Sequence, residues 1–150
     1  MPRTSAKQQV APKRAPKKAV KRVARKPAPA TDFSAVFASL KKVLVPYARR
    51  MVVKYDGPGI YYVETAPVPK YGTEMFFGAV RTGKRYVSFH LMPLYVFPEF
   101  LEDISPALRK RMQGKSCFNF TASDPALFRE LAKLTRRGFD GFRRGGLFKA

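Results

Sequence analysis

The sequence predicts an α+β domain: an antiparallel sheet packed by N- and C-terminal helices and preceded by a disordered basic tail. Three observations carry that expectation. The first 31 residues hold ten Lys/Arg, five Pro and no Asp or Glu. Helix-period apolar stripes stand at both ends of the remaining chain. Between them, short β-rich runs are separated by Gly and Pro turns. The chain therefore divides into a tail at 1–31, a folded unit at 32–145 and a short C-terminal tail at 146–150.

The tail cannot form a long helix, because prolines at 2, 12, 16, 27 and 29 interrupt it. Val10, Val20 and Val23 are its only sizeable apolar side chains after Met1, too few to offset the entropy of ordering it. Residues 15–26 (APKKAVKRVARK) become helix-competent once their charges are neutralised. In the body, Asp32 is placed to cap a helix over 33–45, with Phe33, Val36, Phe37, Leu40, Val43 and Leu44 on one face. Pro46 is expected to end or kink it. Strands are predicted at 51–55 and 60–64 around the Asp56-Gly-Pro-Gly59 turn, and 66–72 is a loop because its prolines lack ladder donors.

The clearest hairpin joins 75–80 to 86–92 through Arg81–Arg85, with Gly83 in the turn. Alternation puts Val87, Phe89 and Leu91 toward the core and Tyr86, Ser88, His90 and Met92 on the other face. A short helix is expected at 98–103. Ser105 caps a second, with Pro106 at its first position, running to about Met112. Residues 117–120 form a strand. Ser123 or Asp124 caps a final helix whose stripe is Leu127, Phe128, Leu131, Leu134 and Phe139, with Arg129, Lys133, Arg136 and Arg137 outside it.

The formal net charge is +20, with half in the tail and half in the body. Such a field favours a polyanionic partner. The expected partner is DNA or RNA, held without sequence preference by Lys13, Arg14, Lys17, Lys18, Lys21, Arg22, Arg25 and Lys26. Each phosphate neutralised adds a salt-sensitive increment of affinity, and nothing in the tail can present a fixed geometry to base edges. The composition resembles linker-histone tails. A plain spacer is the bland alternative. A membrane surface is disfavoured because the tail has no Trp, Phe or Leu to insert.

No run of 18 apolar residues is present, and no apolar segment follows the first basic residues as a secretory signal requires. Cys117 is the single cysteine, which excludes an intrachain disulfide and a four-Cys metal site. A cytoplasmic chain is expected, with association with the nucleoid open to it.

Three stretches carry a family resemblance: Gly83-Lys84-Arg85-Tyr86-Val87-Ser88-Phe89-His90-Leu91-Met92-Pro93, then Gly114-Lys115-Ser116-Cys117-Phe118-Asn119-Phe120, then Leu127 to Phe142. With the opening helix they resemble the YdhG-like domain family, a bacterial domain of unknown function, over residues 33–143. The resemblance implies a small α+β fold with a curved antiparallel sheet. One branch of that family is described as a frataxin-like iron chaperone. Iron delivery of that kind draws on hard carboxylate ligands, whereas only Glu99, Glu102 and Asp103 cluster here, in a basic domain.

Candidate chemistry is sparse. Gly114-Lys115-Ser116 echoes the end of a phosphate loop, but Arg109 stands where the first Gly belongs and a strand follows instead of a helix. His90, the only histidine, shares a face with Tyr86 and Ser88, and with Lys115 approaching that face a polar pocket for an anion or small ligand is one expectation. The plainer reading is a structural histidine. Cys117 reads as a buried thiol, with His90 the only base available to it. Glu99, Glu102 and Asp103 read as helix-start acids. Tyr47, Arg49, Arg50, Lys54 and Tyr55 interleave rings and cations, as do Arg136, Arg137, Phe139, Phe142, Arg143 and Arg144, with the two phenylalanines read as packing residues. No catalytic constellation, resident metal or cofactor is expected. The function expected is non-enzymatic nucleic-acid binding through the tail. The alternative is a small-ligand or metal (iron) carrier using the face around His90.

Overall fold

The computed structural model describes residues 31–148, so the cations from Lys13 to Lys26 lie outside the described residues. Helix α1 spans Ser34–Leu44 and buries Val36, Leu40 and Leu44. Its start differs from expectation. Phe33 occupies the capping position, while the Asp32 carboxylate accepts the Ser34 amide at 2.9 Å. The α-helix ends just before Pro46, as expected. A 3-10 turn, Val45–Arg50, carries on from the helix with the proline near its start, where no amide hydrogen is needed.

Strands β1 (Val52–Gly57), β2 (Ile60–Glu64), β3 (Phe76–Thr82) and β4 (Val87–Leu91) then form an antiparallel meander. Helix α2 (Pro93–Val96), a 3-10 turn (Pro98–Leu101) and helix α3 (Pro106–Arg109) follow. Strand β5 (Met112–Gln113) pairs with β6 (Cys117–Phe120), and helix α4 (Pro125–Arg144) closes the fold. The six-stranded sheet is ordered β1-β2-β3-β4-β6-β5, antiparallel throughout. With four helices, this is the α+β architecture predicted.

Alternation along the central strands puts one set of side chains into the core. Tyr61, Val63, Val80, Val87, Phe89, Leu91, Phe118 and Phe120 are all buried, and they join Leu40, Leu44, Leu131 and Phe142 from α1 and α4 in one cluster. Caps appear where side-chain chemistry requires them. The Asp124 carboxylate accepts the Leu127 amide at 3.1 Å, and the Ser105 hydroxyl accepts the Leu108 amide at 3.1 Å. Ser105 also ties two elements together, because its amide and hydroxyl both donate to Glu130 of α4, at 2.6 and 2.7 Å.

Helix α4 passes through Gly138 and Gly141 without breaking. A β-carbon at Gly138 would lie 2.7 Å from Pro93, and one at Gly141 would lie 3.0 Å from the Phe97 ring. The glycines are thus packing residues that let α2 and the following turn lie against α4. Helix α3 stops at Arg109, short of the expected 112, because Met112 and Gln113 are taken up by β5. The folded unit also runs past 145: Leu147 and Phe148 are buried, and the Phe148 ring lies 4.8 Å from that of Phe139.

Candidate functional site: the open face of the sheet

The second set of alternating residues forms a face that the core does not use. Ile60 and Tyr62 on β2 share it with Ala79 and Arg81 on β3, which stand opposite them in register. Ser88 faces Arg81 and His90 faces Ala79, while on the next strand Asn119 faces Ser88 and Cys117 faces His90. Tyr55 joins from β1 opposite Tyr62. The row is mostly half-buried or exposed, in contrast to its core-facing neighbours.

Two zones divide this face. Over β4, β6 and β5 it is polar. The Tyr86 hydroxyl donates to Gln113 at 3.5 Å, the Asn119 amide donates to the same Gln113 oxygen at 2.6 Å, and the Cys117 thiol approaches Asn119 at 3.5 Å. Over β1, β2 and β3 it is aromatic. The rings of Tyr62 and Phe76 stack with centroids 4.8 Å apart and planes at 27°. The Tyr55 ring lies along its own strand over Gly57, where a β-carbon would meet it at 2.7 Å. At the border, Ile60, Tyr62, Phe76, Ala79, Arg81 and His90 line a shallow hollow of about 270 Å³.

His90 and Cys117 meet across β4 and β6, with Nε2 3.7 Å from Sγ. The environment keeps both neutral at pH 7. Burial pushes the His90 imidazole below its ordinary range, and the nearby Arg81 guanidinium pushes it in the same direction. Burial raises the Cys117 thiol, a tendency the Ser88 hydroxyl only partly opposes. A neutral thiol beside a neutral imidazole is not an activated nucleophile.

Of the four residues expected to form a ligand face, Tyr86, Ser88 and His90 do share one side of the sheet. Lys115 is not brought to them. Gly114, with φ +72°, turns the chain between β5 and β6, and the Lys115 ammonium lies over the Tyr95 ring, 5.6 Å from its centroid. There it lines a separate hollow of about 560 Å³ with Leu94, Tyr95, Arg109 and Met112. Of the interleaved rings, Tyr47 packs on Phe139 at 4.8 Å, and Phe139 and Phe142 are core. Asp103 sits 3.7 Å from Arg137, and among the described residues no three His, Cys, Asp or Glu side chains gather at one point.

The expectations centred on β4 passed over Tyr62, Phe76 and Arg81. A signal for them existed. The run Ile60-Tyr-Tyr-Val-Glu64 alternates, so its two tyrosines must point to opposite faces, and only Tyr61 fits with Val63 in the core. Among the described residues, no helix is long and apolar enough to cross a membrane. No known family, curated protein or solved structure matches this chain.

Proposed function

We propose that this is a non-enzymatic nucleic-acid-binding protein whose N-terminal arm holds DNA or RNA through phosphate contacts, without sequence preference, and tethers the folded domain there. The observation that carries it is the arm itself: ten cations and no carboxylate in 31 residues. Displacing counterions from a polynucleotide is the interaction such a segment is built to make. The domain offers a continuation. The root of the arm, at Thr31 and Asp32, lines a hollow of about 480 Å³ with Pro58, Gly59 and Thr82. Thr82 leads directly into the exposed cations Lys84 and Arg85 of the β3–β4 turn. The likeness of the Gly83–Pro93 and Gly114–Phe120 segments to the YdhG-like family belongs to the same proposal, as does a cytoplasmic, nucleoid-associated location.

A mobility-shift assay at two salt concentrations tests it. The full chain should retard duplex DNA and RNA, with affinity falling as salt rises. Deleting residues 1–31 should weaken binding and flatten that dependence. Unchanged affinity and slope after deletion would refute the role of the arm.

The hollow beside His90 supports a second reading, a small-ligand carrier. It is lined by the His90 imidazole, which the Cys117 thiol approaches at 3.7 Å, and such donors suit softer metals better than the oxygen-ligated iron of a carboxylate ridge. A thermal-shift screen against divalent metals and phosphorylated metabolites decides this. A stabilisation that disappears in His90→Ala, in a protein that ignores nucleic acid, favours the carrier.

A further inference from the structure

We propose that the aromatic half of the open sheet face is a stacking platform for single-stranded RNA. The inference rests on the nucleic-acid reading of the arm and extends it, since the arm supplies phosphate contacts and the sheet would supply contacts to bases. Three observations on different strands converge here. Tyr55 and Tyr62 stand opposite one another on β1 and β2, and Phe76 stacks on Tyr62 from β3, so a stacked pair of rings is joined on the same face by a third, which lies over Gly57. Tyr55 is 54% exposed, and Tyr62 and Phe76 are half-buried, their rings seated beside the shallow hollow. A nucleobase is the planar, apolar-faced group that such rings accommodate, and stacking tolerates any base identity.

Charge complementarity sets the polarity of the occupant. Arg81 borders the hollow, is exposed, and makes no ion pair among the described residues. Lys84 and Arg85 follow it at the end of the sheet where the arm begins. A backbone crossing the rings would therefore run toward cations and on to the arm. An acidic peptide would meet the same charges, but it would leave the rings without planar partners.

The polar half of the face favours ribose over deoxyribose. Ser88 on β4, the strand of His90, and Asn119 and Gln113 one and two strands beyond it carry hydroxyl and amide groups on this face, with the Asn119 amide and the Tyr86 hydroxyl donating to the Gln113 oxygen. A 2′-hydroxyl, both donor and acceptor, is the sugar group that can use them. Duplex nucleic acid cannot use the rings at all, because its bases are already stacked on one another.

The test measures binding of the full chain to oligouridylate, to the matching oligodeoxyuridylate and to a duplex, each at low and physiological salt. Because stacking depends less on salt than the arm's phosphate contacts do, the preference for oligouridylate over the duplex should widen as salt rises. Tyr62→Leu and Phe76→Leu keep apolar bulk at half-buried sites and remove the ring. Each should lower oligouridylate affinity on the order of 5- to 100-fold and leave duplex binding unchanged, with circular dichroism and the melting midpoint confirming an intact fold. Tyr55→Ala, at the most exposed ring, should act in the same direction. Equal affinity for all three ligands, equal affinity for the two single strands, or ring variants that bind RNA like the parent would overturn the platform while leaving the arm reading in place. Failure to bind any polynucleotide at low salt would remove both.

Discussion

The His90–Cys117 contact shows how burial decides the chemistry of a pair whose residue types alone suggest reactivity. At 3.7 Å the two could in principle share a proton as thiolate and imidazolium. Burial opposes both charges, and Arg81 adds a second push against the imidazolium. Two outcomes follow. Cys117 should react with iodoacetamide near pH 8 more slowly in the native protein than in the denatured chain, and a native rate above the denatured one would overturn the assignment. His90 should make the fold acid-sensitive. Its proton binds more tightly in the unfolded chain, so stability is complete above the ordinary imidazole value and falls as pH drops through about 6.5 toward the depressed native value. Melting midpoints recorded between about pH 7.5 and pH 5 should therefore decline more steeply for the parent than for His90→Gln. Parallel curves would show that the imidazole is not the group responsible.

Among the elements, α4 carries the clearest conflict between local preference and packing. Glycine is a poor helix residue, and Gly→Ala in an exposed helix would be expected to stabilise by about 1 kcal/mol. At Gly138 a methyl group would strike the Pro93 ring at 2.7 Å, so Gly138→Ala should instead destabilise by roughly 1–3 kcal/mol, measured by urea unfolding. A stabilised variant would mean that α2 shifts freely. The same elements show what was legible beforehand. β2, β4, β6 and the two long helices were readable because period-2 and period-3.6 patterns extend over several residues. α2 and β5 were not, because four and two residues leave no period to detect. The α-helix ends just before Pro46 as expected, but the 3-10 turn that follows was not legible, because a proline at the start of such a turn costs no hydrogen bond. Lys115 was misplaced for another reason: its sequence distance from His90 says nothing about which side of the Gly114 turn its long side chain takes. The aromatic group needed three registers at once, Tyr55 with Tyr62, Tyr62 with Ala79, and the irregularity at Glu64 that turns Phe76 toward the same face.

For the molecule as a whole, charge is divided between two carriers with different geometry. The arm concentrates ten cations in 31 residues, and the body spreads the rest over a folded surface. In the body, Lys41, Lys54, Arg137 and Arg143 are engaged with carboxylates. Counterion release scales with phosphates contacted, at a slope of about −0.9 per phosphate on duplex DNA. The arm deletion should therefore remove several units from a log–log salt plot, and a loss below about one unit would assign the binding to the body. The opposite end of the chain carries a different constraint. Leu147 and Phe148 fold back beneath the last turn of α4 and close over Phe139, so this pair acts as a latch on the helix. Removing Leu147 and Phe148 would uncover the Phe139 ring, and an affinity handle inserted ahead of Phe148 would pry the latch open.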